Sequence, residues 1–174
     1  MRKELVFIGE GGQGIVLMGH IFAKAVQLDG REVAFVPSYG AAARGGKCAS
    51  SIVVSDGSIL FPGVMSPDIL VAMSQEGYNY WISKISSESK VLFDPDTVRI
   101  IQSAVAPHVP AMAIKIASGL GSKMAANMVM LGSLAAITEM VSAISLSEAV
   151  KKESGKFADI NLKALEEGCK INKR

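Results

Sequence analysis

Two kinds of hydrophobic repeat alternate along this chain, and their order predicts an α/β protein. Short apolar runs of strand length occur at Glu4–Ile8, Glu32–Val36, Cys48–Ser55, Ile69–Met73 and Lys90–Phe93. Between the first two, Ile15, Met18, Phe22, Ala25 and Val26 recur at helical spacing over Ile15–Gln27, and Gly30 ends that helix. The opening therefore reads strand, glycine turn, helix, strand, the start of a parallel α/β sheet. Asp56-Gly57 is a hairpin-type turn signal, with Ser58–Leu60 as its return strand. Ser74 is placed to cap a helix running to about Ile85. Val98–Ile101 and Ala104–Ala106 are further strand candidates, bounded by Pro107 and Pro110.

Beyond Pro110 the pattern turns helical, over Ala111–Ser118, Lys123–Ser142, Leu146–Lys152 and Phe157–Ile171. Ser145 with Glu148 forms a capping-box pair at the head of the third. No repeat, linker or low-complexity block interrupts the chain, so one domain over residues 1–174 is expected.

Composition narrows the function classes. Hydrophobic residues make up 49% of the chain, as in a packed globular protein rather than a disordered one. Eighteen Lys and Arg against 16 Asp and Glu leave a formal charge of +2, which gives no reason to invoke nucleic acid or an anionic membrane. The apolar run Leu5–Ile8 gives way at once to Gly9, unlike a secretory signal, and the uncharged stretch Met124–Thr138 is too short to span a bilayer. Cys48 and Cys169 stand far apart without metal-ligand spacing and read as buried thiols in a reducing cytoplasm. Two isolated cysteines do not make an iron–sulfur site, which normally takes four, so electron transfer would fall to another chain. His20 and His108 have no metal-like partner in the sequence and are expected to be neither ligands nor catalytic bases.

Two glycine-containing segments carry the candidate chemistry. Gly9-Glu10-Gly11-Gly12-Gln13-Gly14 follows a strand and precedes a helix, which is the context of a phosphate-cradling turn. The usual carboxylate for ribose hydroxyls is missing, because the second strand ends Val36-Pro37-Ser38-Tyr39, and this argues against an independent NAD site. Phosphate contact and a merely tight strand-to-helix crossing both remain open for this turn. Gln13 adds a side-chain amide able to reach a carbonyl or a partner chain. The second segment, Ser38-Tyr39-Gly40-Ala41-Ala42-Ala43-Arg44-Gly45-Gly46, presents a guanidinium suited to a phosphate or carboxylate, with a salt bridge or an interface contact as the alternative. Asn127 stands in an otherwise apolar helix, where bonding a loop backbone is its expected work and ligand contact the second reading. The methionines around it read as core or as an adaptable interface.

Taken together, these motifs resemble the gamma subunits of 2-oxoacid:ferredoxin oxidoreductases. The resemblance rests on Gly9 to Gly14, on Ser38-Tyr39-Gly40 with Arg44-Gly45-Gly46, and on Val53-Val54-Ser55-Asp56. It continues through Pro67-Asp68-Ile69-Leu70-Val71, Asn127 to Gly132 and Asn161-Leu162-Lys163-Ala164, so it runs nearly the whole chain in order. It implies a three-layer α/β/α, Rossmann-like open mixed sheet, mostly parallel, with a helical C-terminal part. It also implies oxidative decarboxylation of a 2-oxoacid to an acyl-CoA with ferredoxin reduction, in a complex where this chain does not catalyse alone. Thiamine diphosphate, magnesium and iron–sulfur clusters would sit on alpha, beta and delta or ferredoxin-like partner subunits, with ferredoxin met only indirectly. Gly9, Gly11, Gly12, Gln13, Gly14, Tyr39, Arg44, Gly45, Gly46 and Asn127 would then be the residues near coenzyme A. The loop departs from the family's Gly-Pro-Glu-x-Arg-Gly-Gly pattern at Ala41 and Ala42, which removes a carboxylate partner for Arg44 or a neighbouring subunit. The Tyr39 form is similar to the 2-oxoglutarate and branched-chain types more than to the indolepyruvate type. An autonomous nucleotide-binding module and a purely structural interaction subunit are the competing expectations.

Overall fold

Strands β1 (Arg2–Gly9), β2 (Glu32–Tyr39), β3 (Cys48–Ser55), β4 (Ile69–Ala72), β5 (Lys90–Phe93) and β6 (His108–Pro110) form one sheet. Their order across it is β2-β3-β1-β4-β5-β6. The computed structural model describes residues 1–40 and 48–171, so Arg44, Gly45 and Gly46 lie outside the described residues. β3 runs antiparallel to both its neighbours, and every other pairing is parallel. The sheet is thus mixed and mostly parallel.

β1 and β2 are not adjacent, because β3 is inserted between them. Burial explains the arrangement: Ile52, Val53 and Val54 of β3 are fully covered on both faces, whereas β2 has exposed positions along its length and takes the edge. With both edges of β3 paired, no edge remains for a return strand, and Ser58–Leu60 forms none. The Asp56 carboxylate instead accepts from the Met1 amino group at 2.8 Å and from Arg31 Nε at 3.1 Å. Val98–Ile101 and Ala104–Ala106 are not strands either. The final edge is the short β6, which joins β5 where Val91 N–H donates to the Pro107 carbonyl at 2.9 Å. Pro110 is tolerated there because an edge strand leaves one side without partners.

Side chains alternate across the sheet and define two unequal layers. Leu5, Phe7, Ile52, Val54, Val71 and Leu92 face α1 (Ile15–Leu28), α3 (Ala113–Gly119), α4 (Ala126–Thr138), α5 (Ala143–Glu153) and α6 (Ala158–Ile171). Val6, Ile8, Leu70, Ala72, Val91 and Phe93 face the other way, where α2 (Gln75–Trp81) contributes the buried Tyr78. α2 is shorter than its pattern suggested and passes at Ile82 into a 3₁₀ turn, but its cap is the expected Ser74, whose Oγ accepts from Gly77 N–H.

α4 is buried almost all round from Ala126 to Leu134, which places it inside the helical layer. It is shorter than the Lys123–Ser142 expectation: a 3₁₀ turn at Lys123–Ala125 leads into it, and Glu139 in the left-handed region (φ 51°) ends it. α4 meets α6 glycine against backbone. A Cβ at Gly132 would run into the Leu165 carbonyl, and one at Gly168 into the Val129 carbonyl.

α5 begins three residues earlier than the capping-box pattern indicated. Its cap is Ser142, whose hydroxyl accepts from Ser145 N–H at 3.1 Å. The reason lies far away in sequence: Asp29 accepts from Ser142 N–H at 2.6 Å, Ser142 Oγ at 2.8 Å and Ser145 Oγ at 2.6 Å. Burial pushes the Asp29 carboxyl up, but bonds from Ser145 and Ser142, with Arg31 nearby, outweigh it and hold the group below its ordinary value.

Candidate functional site

In an open α/β sheet a ligand crevice forms where successive connections leave in opposite directions. Here that place lies between β1 and β4. The chain leaves β1 through α1 toward β2 on one face, and leaves β4 through α2 toward β5 on the other. The glycine turn caps the carboxyl end of β1 at this crossing.

Most of the turn is satisfied internally. Gln13 folds back across Gly9, its Oε1 accepting from Glu10 N–H at 2.7 Å and its Nε2 donating to the Met73 carbonyl at 3.1 Å. The carbonyl that Gln13 reaches is thus at the end of β4, and the bond ties the two sides of the crossing together. Gly9 leaves the space that the Gln13 and Ile15 side chains fill. Gly14 sits in the left-handed region (φ 71°) with Asn127 packed where its side chain would be. Asn127 Nδ2 donates to the Gly14 carbonyl at 3.1 Å. Asn127 is only 3% exposed, so it works on the loop backbone, and it is not part of the cleft wall.

The amino end of α1 packs against β3. Burial pushes the nearby Cys48 thiol up. Ser50 Oγ donates to the Ile15 carbonyl at 3.1 Å beside it. What stays open is Gly11 and Gly12, both exposed, with nothing where a side chain would be and Gly12 at φ 88°.

These glycines form one wall of a cleft of about 460 Å³, closed by Glu10, Gln13, Met73, Thr97, Ile114, Lys123, Met124 and Ala126. One ammonium, one carboxylate, a hydroxyl and open backbone stand among apolar side chains, which is a composition for holding a partly anionic flexible molecule. Behind the cleft, Asp94 is fully buried and accepts from Asp96 N–H at 2.8 Å and from Ile114 N–H at 2.7 Å. It thereby seats the start of α3 against β5. A larger hollow of about 690 Å³ lies among α4, α5 and α6, lined by Ala135, Val141, Leu146 and Leu165, and no strand contributes to it.

The structure therefore brings Gly11, Gly12 and Gln13 into one cleft and sets Gly9, Gly14 and Asn127 beneath it as support. Tyr39 is 60% exposed at the same edge of the sheet, but in register with Cys48 and then Gly9, two strand spacings or about 9.6 Å from the turn. The insertion of β3 also removes the neighbouring strand end from which a dinucleotide-binding fold holds ribose. Lys123, Met73, Thr97 and Met124 were not singled out from sequence. Their one available signal was position, since loops after parallel strands and helix starts lie at the carboxyl edge of such sheets.

A doubly wound α/β chain with a ligand crevice at its strand crossing is the class that this fold and site define. The family model for pyruvate ferredoxin/flavodoxin oxidoreductase matches residues 4–171, and the chain belongs to that family as a gamma-type subunit. It is 37% identical to the 2-oxoglutarate synthase subunit KorC of Methanocaldococcus jannaschii, over 99% of this chain and 95% of that one. Among solved structures it resembles the keto/oxoacid ferredoxin oxidoreductase gamma subunit from Geobacter sulfurreducens, with TM-score 0.83, 31% identity and 95% of each chain covered. The fold also recurs in the 2-oxoglutarate:ferredoxin oxidoreductase from Magnetococcus marinus, solved with 2-oxoglutarate, coenzyme A and succinyl-CoA. There the TM-score is 0.88 at 24% identity, covering 99% of this chain and 31% of that one.

Proposed function

We propose that this chain is the gamma subunit of a 2-oxoglutarate:ferredoxin oxidoreductase and forms the coenzyme A side of its active site. It assembles with alpha and beta subunits that hold thiamine diphosphate and magnesium, and with iron–sulfur clusters on beta or a ferredoxin-like subunit. The observation that carries the coenzyme role is the cleft itself: open glycine backbone and Lys123 face an apolar wall at the strand crossing. The relatives' names supply the 2-oxoacid class, and similarity to KorC favours 2-oxoglutarate.

Met124 is 73% exposed at the cleft wall, so it can be replaced without disturbing the core. In the purified complex, Met124→Glu should raise the KM for coenzyme A while leaving kcat and the KM for 2-oxoglutarate unchanged. An unchanged KM for coenzyme A would remove the cleft from the active site. Activity with another 2-oxoacid in place of 2-oxoglutarate would correct the substrate alone.

The internal bonds of Gln13 and Asn127 favour a second reading, in which the turn is architecture and the subunit only stabilises the assembly. Under it, cleft variants would alter subunit recovery and not coenzyme affinity.

A further inference from the structure

We infer that Lys123 is the side chain that reads phosphate in this cleft, an assignment that rests on the coenzyme A reading above. At the head of α1, Asn127 packs over Gly14 and bonds its carbonyl, and residues 9–14 of the turn include no cationic side chain. A cation for an anion entering the cleft must therefore come from another element. Lys123 is the one cation among the described residues of the wall. No ion pair or hydrogen bond to another described residue occupies its ammonium. It starts the 3₁₀ turn before α4, with Met124 and Ala126 in the same wall as Gly11 and Gly12. Glu10, the wall's only described carboxylate, disfavours a second anion beside it, which leaves the Lys123 side for phosphate. Met73, Ile114 and Met124 then receive an uncharged part of the ligand.

The test separates the charged and uncharged halves of coenzyme A, using ADP and pantetheine as competitors against it in the assembled enzyme. Lys123→Gln should weaken ADP inhibition and raise the KM for coenzyme A by about tenfold, the scale of one charge-assisted hydrogen bond. It should leave kcat and pantetheine inhibition unchanged, and Lys123→Arg should recover most of the loss. Unchanged ADP inhibition, or equal loss for ADP and pantetheine, overturns the assignment. If Met124→Glu raises the KM for coenzyme A while Lys123→Gln does not, only Lys123 is misassigned. If neither variant moves it, the coenzyme A reading fails with it.

Discussion

Asn127 in α4 donates to the carbonyl of Gly14, a residue 113 positions earlier in the chain, and so pins the helical layer to the glycine turn. Gly14 is closed to any side chain by its left-handed backbone and by the Asn127 amide packed against it.

Gly14→Ala should therefore cost more than the roughly 1–2 kcal/mol of a left-handed non-glycine residue, because Asn127 must also move. Asn127→Ala should cost about 1–2 kcal/mol through the lost bond and packing. Thermal denaturation should show both, at about 2–4 °C per kcal/mol for a chain of this size. An Asn127→Ala protein as stable as the parent would mean that the bond is not holding the turn.

The glycine contact between α4 and α6 predicts a penalty of a different kind. Gly168→Ala removes backbone freedom from a helix, which alone would stabilise it, yet the added methyl has no space against the Val129 carbonyl. The expected net result is destabilisation of about 1–3 kcal/mol from overpacking. Urea unfolding of the Gly168→Ala and Gly132→Ala chains checks the sign, which the helix-propensity argument alone would have reversed.

Asp29 should make part of the stability depend on acid. Its folded carboxyl lies below its unfolded value of about 3.9. The contribution is then fully present above that pH and is lost as pH falls through the lower folded value. Asp29→Asn should cost about 1 kcal/mol at neutral pH. The gap between parent and variant in chemical denaturation should stay constant from pH 7 to about 5 and shrink below about 4. A gap that widened in acid would contradict the sign.

Tyr78 and His108 predict a defined tautomer. His108 Nδ1 lies 2.7 Å from the Ala106 carbonyl and must donate, so in the neutral ring Nε2 accepts from the Tyr78 hydroxyl at 2.9 Å. That hydroxyl in turn accepts from Ile101 N–H at 3.0 Å. Nitrogen-detected NMR should show the Nδ1–H form. Tyr78→Phe should leave two groups unpaired and cost about 1–3 kcal/mol, although the ring itself is conserved.

What was legible in the sequence was local. β3 was bounded correctly by its own β-branched run, α1 by its apolar repeat, and the α2 cap by Ser74. The rest depended on partners distant in the chain. Nothing near Ser145 shows that Asp29 will draw Ser142 into the capping position, and nothing in β3 says that it pairs with β1 as well as β2. β6 was hidden because three residues ending in proline make no periodic signal, and it is held by its register with β5. In the candidate site the glycine turn was visible as a motif. That Gln13 would reach a carbonyl and Asn127 a loop backbone was legible too, but which carbonyls they take was not, since each bond joins different elements.

The antiparallel insertion of β3 has an architectural consequence. Tyr39 pairs with Cys48, and Cys48 pairs with Gly9, so the end of β2, the start of β3 and the root of the glycine turn share one edge of the sheet. Register through β3 therefore fixes how far Tyr39 stands from the turn. A one-residue slip of β3 would shift Tyr39 along that edge and turn the buried side chains of the strand to the opposite layers.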